Sequence, residues 1–251
     1  MIRAILARLH QGHRTMAYPK GPATLPPLLR GYPVLDPSLC ADGCRACAEA
    51  CPFGALGLED GLALDMGKCL FCPECERACP SGAIRLTADA ELAANRREGL
   101  VVRAGEERRR AEALGKELVS LYGRSFRLRQ VSAGGCNACE ADTNVLGTVG
   151  FDLGRFGISF VASPRHADGI LVTGPVSENM REALLRTYEA VPQPRVVIAA
   201  GACAIAGGPF AGSPEAHGGV GSLLPVDLYI PGCPPHPITI LDGLLRLTGR
   251  I

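Results

Sequence analysis

The twelve cysteines of this 251-residue chain are the residues whose type and spacing most clearly predict chemistry. Eight of them lie between Cys40 and Cys79, and the other four are spread over the C-terminal half. Arg3 and Arg8 interrupt the only apolar stretch near the start, so we expect no secretory signal and a cytoplasmic chain. Because cytoplasmic thiols stay reduced, the clustered cysteines predict metal or cluster binding rather than disulfides.

Residues 35–84 contain an internal repeat. The segment Leu35-Asp36-x-x-x-Cys40 returns as Leu64-Asp65-x-x-x-Cys69, and Cys51-Pro52-Phe53-Gly54-Ala55 returns as Cys79-Pro80-Ser81-Gly82-Ala83. Each copy holds four cysteines, and the second has the C-x2-C-x2-C-x3-C-P spacing that holds bacterial [4Fe–4S] clusters. The repeat therefore predicts two clusters.

The spacing also predicts which thiols share a cluster, because the fourth cysteine of each run reaches across to the other cluster. The predicted sets are Cys40, Cys44, Cys47 and Cys79 for the first [4Fe–4S] cluster, and Cys69, Cys72, Cys75 and Cys51 for the second. Three residues separate Cys40 from Cys44, where we expect Gly43 to absorb the extra residue. This departure leaves the type of the first cluster open. A four-cysteine zinc site is the alternative, although its ligands usually come from two well-separated C-x-x-C pairs.

The C-terminal half alternates short apolar runs with helical patterns, which predicts an α/β domain with a mostly parallel, flavodoxin-like sheet. The predicted strands cover residues 126–131, 158–161, 169–172, 196–200 and 228–230, and the predicted helices cover 139–149, 177–190 and 237–247. A small α+β ferredoxin-like domain with two clusters precedes it.

The last four cysteines follow three of these strands. Cys136 and Cys139 come after the first strand, Cys203 after the fourth and Cys233 after the fifth. Open α/β sheets bind ligands beyond the carboxyl ends of their strands, so the three loops can converge on a third [4Fe–4S] cluster. Three clusters then use all twelve thiols. The alternative is that Cys203 and Cys233 are buried small residues.

Composition and charge exclude other classes. The net charge is +1, tryptophan is absent and aromatic residues make up 5%, so we expect no nucleic-acid binding. No apolar stretch is long enough to span a membrane. We divide the chain into an extended basic N-terminal arm (1–34), the ferredoxin domain (35–86), a charged helical connector (87–125) and the α/β domain (126–251). The arm either attracts an anionic surface or is a solvated tail.

Several motifs make the resemblance to a known family specific. They are Gly135-Cys136-Asn137-Ala138-Cys139-Glu140, Ser163-Pro164-Arg165-His166-Ala167-Asp168, Thr173-Gly174-Pro175-Val176 and Pro231-Gly232-Cys233-Pro234-Pro235. These motifs resemble the small subunit of membrane-bound, energy-converting [NiFe] hydrogenases, which is similar to the twenty-kilodalton subunit of respiratory complex I. Residues 35–86 resemble a two-cluster bacterial-type ferredoxin. The chain thus resembles a fusion of two neighbouring electron-transfer subunits.

The resemblance implies an oxidoreductase subunit that is inactive alone. Electrons would pass between an electron-donor subunit or ferredoxin, the two ferredoxin clusters, the third cluster and a large [NiFe] hydrogenase-like subunit similar to the forty-nine-kilodalton subunit of complex I. Membrane-embedded subunits would hold the complex on the cytoplasmic side of the inner membrane. Complex I subunits of this family carry two adjacent cysteines, whereas none are adjacent here, so the arrangement is that of a hydrogenase of the formate hydrogenlyase type. The alternative is a complex I-like, NADH:quinone oxidoreductase-related complex without nickel.

The family also implies roles for residues other than cysteine. Glu140 directly follows a predicted ligand, and the resemblance implies proton transfer near the partner interface. The alternative is a carboxylate favoured by a helix N-terminus. The resemblance places the loop that holds Arg165 and His166 near the large subunit, and a solvated loop is the plain alternative.

Overall fold

The structure is a computed structural model that describes residues 2–59 and 61–251. Within these residues the strands are β1 Pro33–Leu35, β2 Leu56–Gly57, β3 Ala63–Asp65, β4 Ile84–Leu86, β5 Val101–Arg103, β6 Phe126–Ser132, β7 Ile158–Phe160, β8 Gly169–Thr173, β9 Val196–Ala200 and β10 Leu228–Ile230. The α-helices are α1 Ile2–Gln11, α2 Ala46–Glu49, α3 Glu74–Ala78, α4 Lys116–Tyr122, α5 Ala138–Val145, α6 Glu178–Glu189, α7 Ala202–Ala206 and α8 Pro237–Leu247.

Five of the strands form one parallel sheet in the order β7-β6-β8-β9-β10. In chain order this is 2-1-3-4-5, the flavodoxin-like arrangement. Leu128 in β6 is paired on one side with Phe160 and on the other with Gly169. The prediction of a flavodoxin-like α/β sheet is therefore confirmed, and the strand order reverses beside β6.

Both faces of this sheet are covered, which explains the continuous apolar runs in its strands. Every residue of β8 and β9 is buried. On one face, Leu128, Leu171 and Ile198 belong to the same apolar core as α8. On the other face, Ile170, Val172 and Val197 belong to a core that also includes residues of α6 and α7.

The N-terminal cysteines lie on a smaller ferredoxin-like part. Strands β1 and β4 pair antiparallel, and β2, β3 and β5 form a second antiparallel sheet. This part shares its core with the parallel sheet, because Leu64, Met66 and Ile84 are in the same buried cluster as Val172 and Val197. The two parts are therefore packed into one continuous structure. The predicted ferredoxin-like α+β fold is confirmed.

The connector over 87–125 is less helical than its composition predicts. Its α-helix is confined to Lys116–Tyr122, Arg97–Leu100 form a short 3-10 helix, and Val101–Arg103 complete the second ferredoxin-like sheet as β5. Arg108 binds Asp89, and Arg110 binds Glu91 at 2.8 Å. These tertiary contacts hold residues 107–115 outside regular structure and override local helix propensity.

The N-terminal arm also differs from the predicted extended chain. Residues Ile2–Gln11 form helix α1, because their apolar residues recur on one helical face. The continuation of the arm is extended as predicted, but it is not a solvated tail, because Tyr18, Leu25 and Leu29 pack against the core. The hydroxyl of Tyr18 donates to the buried carboxylate of Asp242 at 2.5 Å. Within the described residues, no helix is long and apolar enough to cross a membrane.

Candidate iron–sulfur centres

All twelve cysteines are free thiols, and mutual electrostatic effects place eleven of them in three groups. Site A comprises Cys40, Cys44, Cys47 and Cys79; site B comprises Cys51, Cys69, Cys72 and Cys75; site C comprises Cys136, Cys139, Cys203 and Cys233. Electrostatic effects between the thiols follow these groups: Cys79 and Cys40 raise the pKa of Cys47, while Cys75, Cys51 and Cys72 raise that of Cys69. Cys44 lies between Cys40 and Cys47 along the chain, just before α2, which contains Cys47.

Site B is the most enclosed of the three. Its thiols and the side chains of Phe53 and Leu64 line a small cavity. Backbone amides point at sulfur, since Phe71 donates to Cys69 Sγ at 3.2 Å and Ala55 donates to Cys51 Sγ at 3.3 Å. Such N–H···S contacts stabilise negative charge on sulfur and tune a cluster's reduction potential.

Burial makes the site B thiols weak acids. It raises the pKa of Cys69 to about 12 and that of Cys75 to about 11, and neighbouring thiolates add to the effect. Cys69 and Cys75 are thus neutral at pH 7 when nothing is bound. Binding of iron requires thiolates, so it must displace these protons.

Site A is more open to solvent. Gly43, between Cys40 and Cys44, has a φ of +72° with open space around its α-carbon, so it absorbs the extra residue of this loop as expected. Cys79 follows α3 and accepts a hydrogen bond from the amide of Ala83 at 3.2 Å. Burial acts to raise the pKa of Cys79, but this bond and one from Ser81 outweigh it and lower the pKa.

Site C is assembled at the carboxyl edge of the parallel sheet. Cys136 follows β6, and Cys139 lies in the first turn of α5. Cys203 lies in α7 after β9, and Cys233 follows β10. Strand β8 lies between these strands and supplies no cysteine, so the thiols reach the site from three loops around its end.

Glycines make the close approach in site C possible. Gly201 has a φ of +93°, and a β-carbon there would lie 2.6 Å from Cys139 Sγ. A β-carbon on Gly208 would lie 2.8 Å from Cys203 Sγ. Neither position tolerates a side chain without moving a thiol, so the backbone is shaped around the sulfur atoms.

The chemistry of the donor set fits an iron–sulfur cluster at each site, because the donors are thiols, amides face sulfur in sites A and B, and glycines clear space in site C. In site C, burial raises the pKa of Cys139 to about 12 and that of Cys203 to about 11. The nearby Glu140 carboxylate adds to both shifts. Among residues 2–59 and 61–251, no three His, Cys, Asp or Glu side chains are arranged to hold a single metal ion.

Glu140 is buried beside site C near the N-terminus of α5. The hydroxyls of Ser132 and Thr173 each donate to its Oε1 atom at 2.6 Å. Burial acts to raise the pKa of Glu140, but these hydrogen bonds outweigh it and the pKa is lowered. The carboxylate is therefore ionised at neutral pH. Sequence reasoning missed both hydroxyls, although each ends one of two neighbouring strands, which was the available signal.

Comparison with known protein families identifies the family to which this chain belongs. The model described as "NADH ubiquinone oxidoreductase, 20 Kd subunit" matches residues 136–247, and the one described as "4Fe-4S dicluster domain" matches residues 39–83. A probable membrane-bound hydrogenase subunit, mbhJ, of Pyrococcus furiosus is 42% identical over 145 residues, which are 58% of this chain and 87% of that protein. The chain belongs to the NADH ubiquinone oxidoreductase 20 Kd subunit family. The predicted family resemblance is thereby confirmed.

Two other relatives are described as subunits of different kinds of complex. A subunit of the NADH-quinone oxidoreductase of Heliobacterium modesticaldum is 43% identical over 136 residues, which are 54% of this chain and 77% of that protein. Formate hydrogenlyase subunit 7 of Escherichia coli is 44% identical over 128 residues, which are 51% of this chain and 50% of that protein. The chain is thus an iron–sulfur subunit of a membrane-bound hydrogenase or complex I-like oxidoreductase.

The dicluster domain meets the α/β domain at a cavity of about 280 Å³. Leu70 and Phe71, from the loop of site B, form one wall, and Cys233 of site C and His236 form another. The N-terminal arm closes a third side, where Arg30 Nε donates to the carbonyl of Phe71 at 2.6 Å. The loop that carries Cys69 and Cys72 of site B therefore lies on the same cavity as Cys233 of site C.

The structure does not bring Arg165 and His166 to the cysteines. They lie in a single turn shortly before β8 begins, and the neighbouring Asp168 accepts a hydrogen bond from the amide of Arg127 at the start of β6. Cys136 instead follows the end of β6. His236 caps α8, accepting a hydrogen bond from the amide of Ile238 at 3.2 Å.

Proposed function

We propose that this chain is the electron-transfer subunit of a membrane-associated, energy-converting [NiFe] hydrogenase of the formate hydrogenlyase type. The observation that carries the proposal is the pairing of Cys136 with Cys139 across two residues, in a chain with no two adjacent cysteines. The relatives from Pyrococcus furiosus and Escherichia coli, described as hydrogenase and hydrogenlyase subunits, support it.

Sites A, B and C each hold one [4Fe–4S] cluster in this proposal, so the twelve thiols bind three clusters. Such clusters supply one-electron transfer at potentials set by cluster type, charge and hydrogen bonds to sulfur. The chain's own residues hold the thiolates, keep water from site B and position Glu140 beside site C. They supply no nickel site, which belongs to the partner.

The placement of the three sites suggests where partners bind. We place site B between the other two, because its Cys51 comes from the run that supplies site A, and its loop, at Leu70 and Phe71, lines the same cavity as Cys233 of site C. We therefore assign the electron donor, a subunit or ferredoxin, to site A. The large [NiFe] hydrogenase-like subunit, similar to the forty-nine-kilodalton subunit of complex I, covers site C, where Cys136 and Cys233 are exposed.

Membrane-embedded subunits of the same complex complete the assembly, with this chain peripheral on the cytoplasmic side. Glu140 is the chain's candidate for proton transfer at the interface with the large subunit. The helix-terminal carboxylate remains the alternative, because Glu140 lies in the first turn of α5.

A second candidate function is a nickel-free, complex I-like complex. It is favoured by the relative from Heliobacterium modesticaldum, described as an NADH-quinone oxidoreductase subunit, of which this chain covers 77%. The two functions differ in the large subunit, because a hydrogenase partner carries two C-x-x-C pairs for nickel.

Anaerobic purification with metal and sulfide analysis, followed by EPR of the reduced protein, tests the proposal. We expect about twelve irons and twelve sulfides per chain, with no nickel in the isolated chain. About eight irons would contradict the count of three clusters, and stoichiometric zinc without sulfide would overturn the redox function.

Purification of the whole complex then separates the two candidates. A hydrogenase contains about one nickel per large subunit and evolves hydrogen from a reduced viologen. A nickel-free complex that reduces a quinone would instead establish the second candidate.

A further inference from the structure

Helix α1 exposes an unusually apolar surface. Ile2, Ile5, Leu6 and Leu9 are 75%, 56%, 58% and 74% exposed, and no residue of the helix is buried. Their spacing of three and four residues places all four on one face of the helix. This face is the largest group of exposed aliphatic side chains on one element of the described chain.

The same helix is bordered by positive charge. At 100° per residue, Arg3 and His10 lie along one side of the apolar face and Arg8 lies along the other, while Ala4 and Ala7 lie opposite. Residues 1–35 contain no Asp or Glu. An apolar face between cationic borders is the pattern of helices that lie in a membrane interface, where arginines reach the headgroups.

The segment that follows α1 attaches it to the α/β domain. The amide of Met16 donates to the carbonyl of Gly150 at 2.8 Å. Arg155 donates to the carbonyls of Met16 and Tyr18 at 2.9 and 2.8 Å. Val149, next to Gly150, is itself 69% exposed. The helix is therefore tethered to an edge of the α/β domain that carries a further exposed apolar side chain.

We propose that α1 binds the surface of an anionic lipid bilayer, with Ile2, Ile5, Leu6 and Leu9 inserted below the headgroups and the arginines at the phosphates. Charge complementarity favours this occupant, because the segment is uniformly basic and the cytoplasmic leaflet is negative. The inference adds a direct lipid contact to the proposed function and does not depend on the identity of the partner subunits.

Vesicle cosedimentation of the full, cluster-loaded chain tests the proposal. We expect binding to vesicles of phosphatidylcholine with phosphatidylglycerol, weaker binding to phosphatidylcholine alone, and a decrease with rising salt. Ile5→Gln combined with Leu6→Gln should weaken binding about tenfold or more. Arg3→Gln and Arg8→Gln should each weaken binding to the anionic vesicles about fivefold at low salt.

The matched control is Ala4→Gln combined with Ala7→Gln, which adds the same groups to the opposite face and should leave binding unchanged. Iron content and visible absorption, measured for every variant, check folding independently of binding. The proposal is overturned if the parent chain binds neither vesicle, or if the two pairs of substitutions weaken binding equally. Binding to membranes only when the embedded subunits are present would also overturn it in favour of a protein partner.

Discussion

The dicluster domain and the α/β domain build thiol sites in opposite ways. Sites A and B take their cysteines from 40 consecutive positions, Cys40 to Cys79, on loops between strands of two or three residues. Site C takes its cysteines from positions between 136 and 233, and a five-stranded sheet with fully buried strands brings them together. The clusters of sites A and B therefore have to order the loops around them, whereas the folded sheet positions the cysteines of site C.

The apolar cores show the same contrast. Cys47, Cys69 and Cys75 are themselves members of the buried core that the dicluster domain shares with one face of the parallel sheet. None of the four site C thiols belongs to either buried core, and they lie at the sheet edge. Because a ligand that binds only the folded state contributes its binding energy to folding, the dicluster domain should depend on its clusters far more.

Removal of iron and sulfide tests this contrast and should give the largest effect. We expect amide hydrogen exchange over residues 33–86 to accelerate roughly 100-fold or more, as when a cooperative unit opens. Exchange over β6, β8 and β9 should change little. Mass spectrometry of peptides from the cluster-loaded and cluster-free chains makes the comparison. Equal acceleration in both domains would show that the sites do not differ in this way.

Paired substitutions test the interleaving of sites A and B. Cys79→Ser should remove about four irons together with the EPR signal of site A, although Cys79 belongs to the second repeat. Adding Cys40→Ser should remove no further iron, because both thiols serve one cluster. Adding Cys69→Ser instead should remove about four more. The opposite pattern would assign Cys79 to the cluster of its own repeat.

The ligands of sites A and B could be predicted from local spacing, because all eight cysteines lie in one short segment of the sequence. Cys79 falls with Cys40 and Cys47 in space, as the ferredoxin pattern predicts, although ligation itself stays a prediction. The strands of the parallel sheet were also predictable, because a short, continuous apolar run such as 196–200 is typical of a strand buried on both faces. The strand order then followed from the α/β pattern.

Other features depend on contacts that sequence spacing does not encode. The sequence predicts a charged helical connector over 87–125, but Val101–Arg103 pair with β3 and Arg108 binds Asp89. Glu140 was recognised from its neighbour Cys139, whereas Ser132 and Thr173 were not, because they meet it only when β6 and β8 are side by side. Tertiary pairing decided each of these cases.

Glycine substitution sharpens the view that the backbone of site C is shaped around sulfur. Gly201→Ala places a β-carbon 2.6 Å from Cys139 Sγ. We expect it to remove or perturb the site C cluster while sites A and B keep about eight irons. The matched control is Gly212→Ala, since Gly212 also has a positive φ, +81°, but no atom within 4 Å of the added carbon.

Both substitutions place an alanine at a positive φ, but Gly201 also has a ψ of 154°, in a region essentially confined to glycine, so extra backbone strain adds to the steric conflict there. EPR of the reduced proteins should show an altered site C signal only in Gly201→Ala. An unaltered signal in that variant would mean that the loop shifts freely and that site C is no more preorganised than site A.

Glu140→Gln should give the smallest effect, because it removes a charge and leaves the packing in place. Loss of a negative charge beside site C favours the reduced cluster, so its reduction potential should rise by about 60 mV, equivalent to a tenfold change in a one-electron equilibrium. Turnover of the complex should fall several-fold with all iron retained, if Glu140 transfers protons. Redox titration followed by EPR, together with hydrogen evolution, measures the two effects.

Thr173→Val separates charge from proton transfer, because it removes one donor to Glu140 Oε1 and leaves the carboxylate in place. The lost hydrogen bond should raise the pKa of Glu140, since such bonds now hold that pKa below its usual value. A proton-transfer role predicts that the pH profile of turnover shifts toward higher pH in this variant. Suppose that the potential rises in Glu140→Gln while turnover is unchanged, and that the pH profile of Thr173→Val is unshifted. Glu140 would then be a fixed charge that sets the reduction potential of site C. In the dicluster domain, amide hydrogen bonds to sulfur would have that role instead.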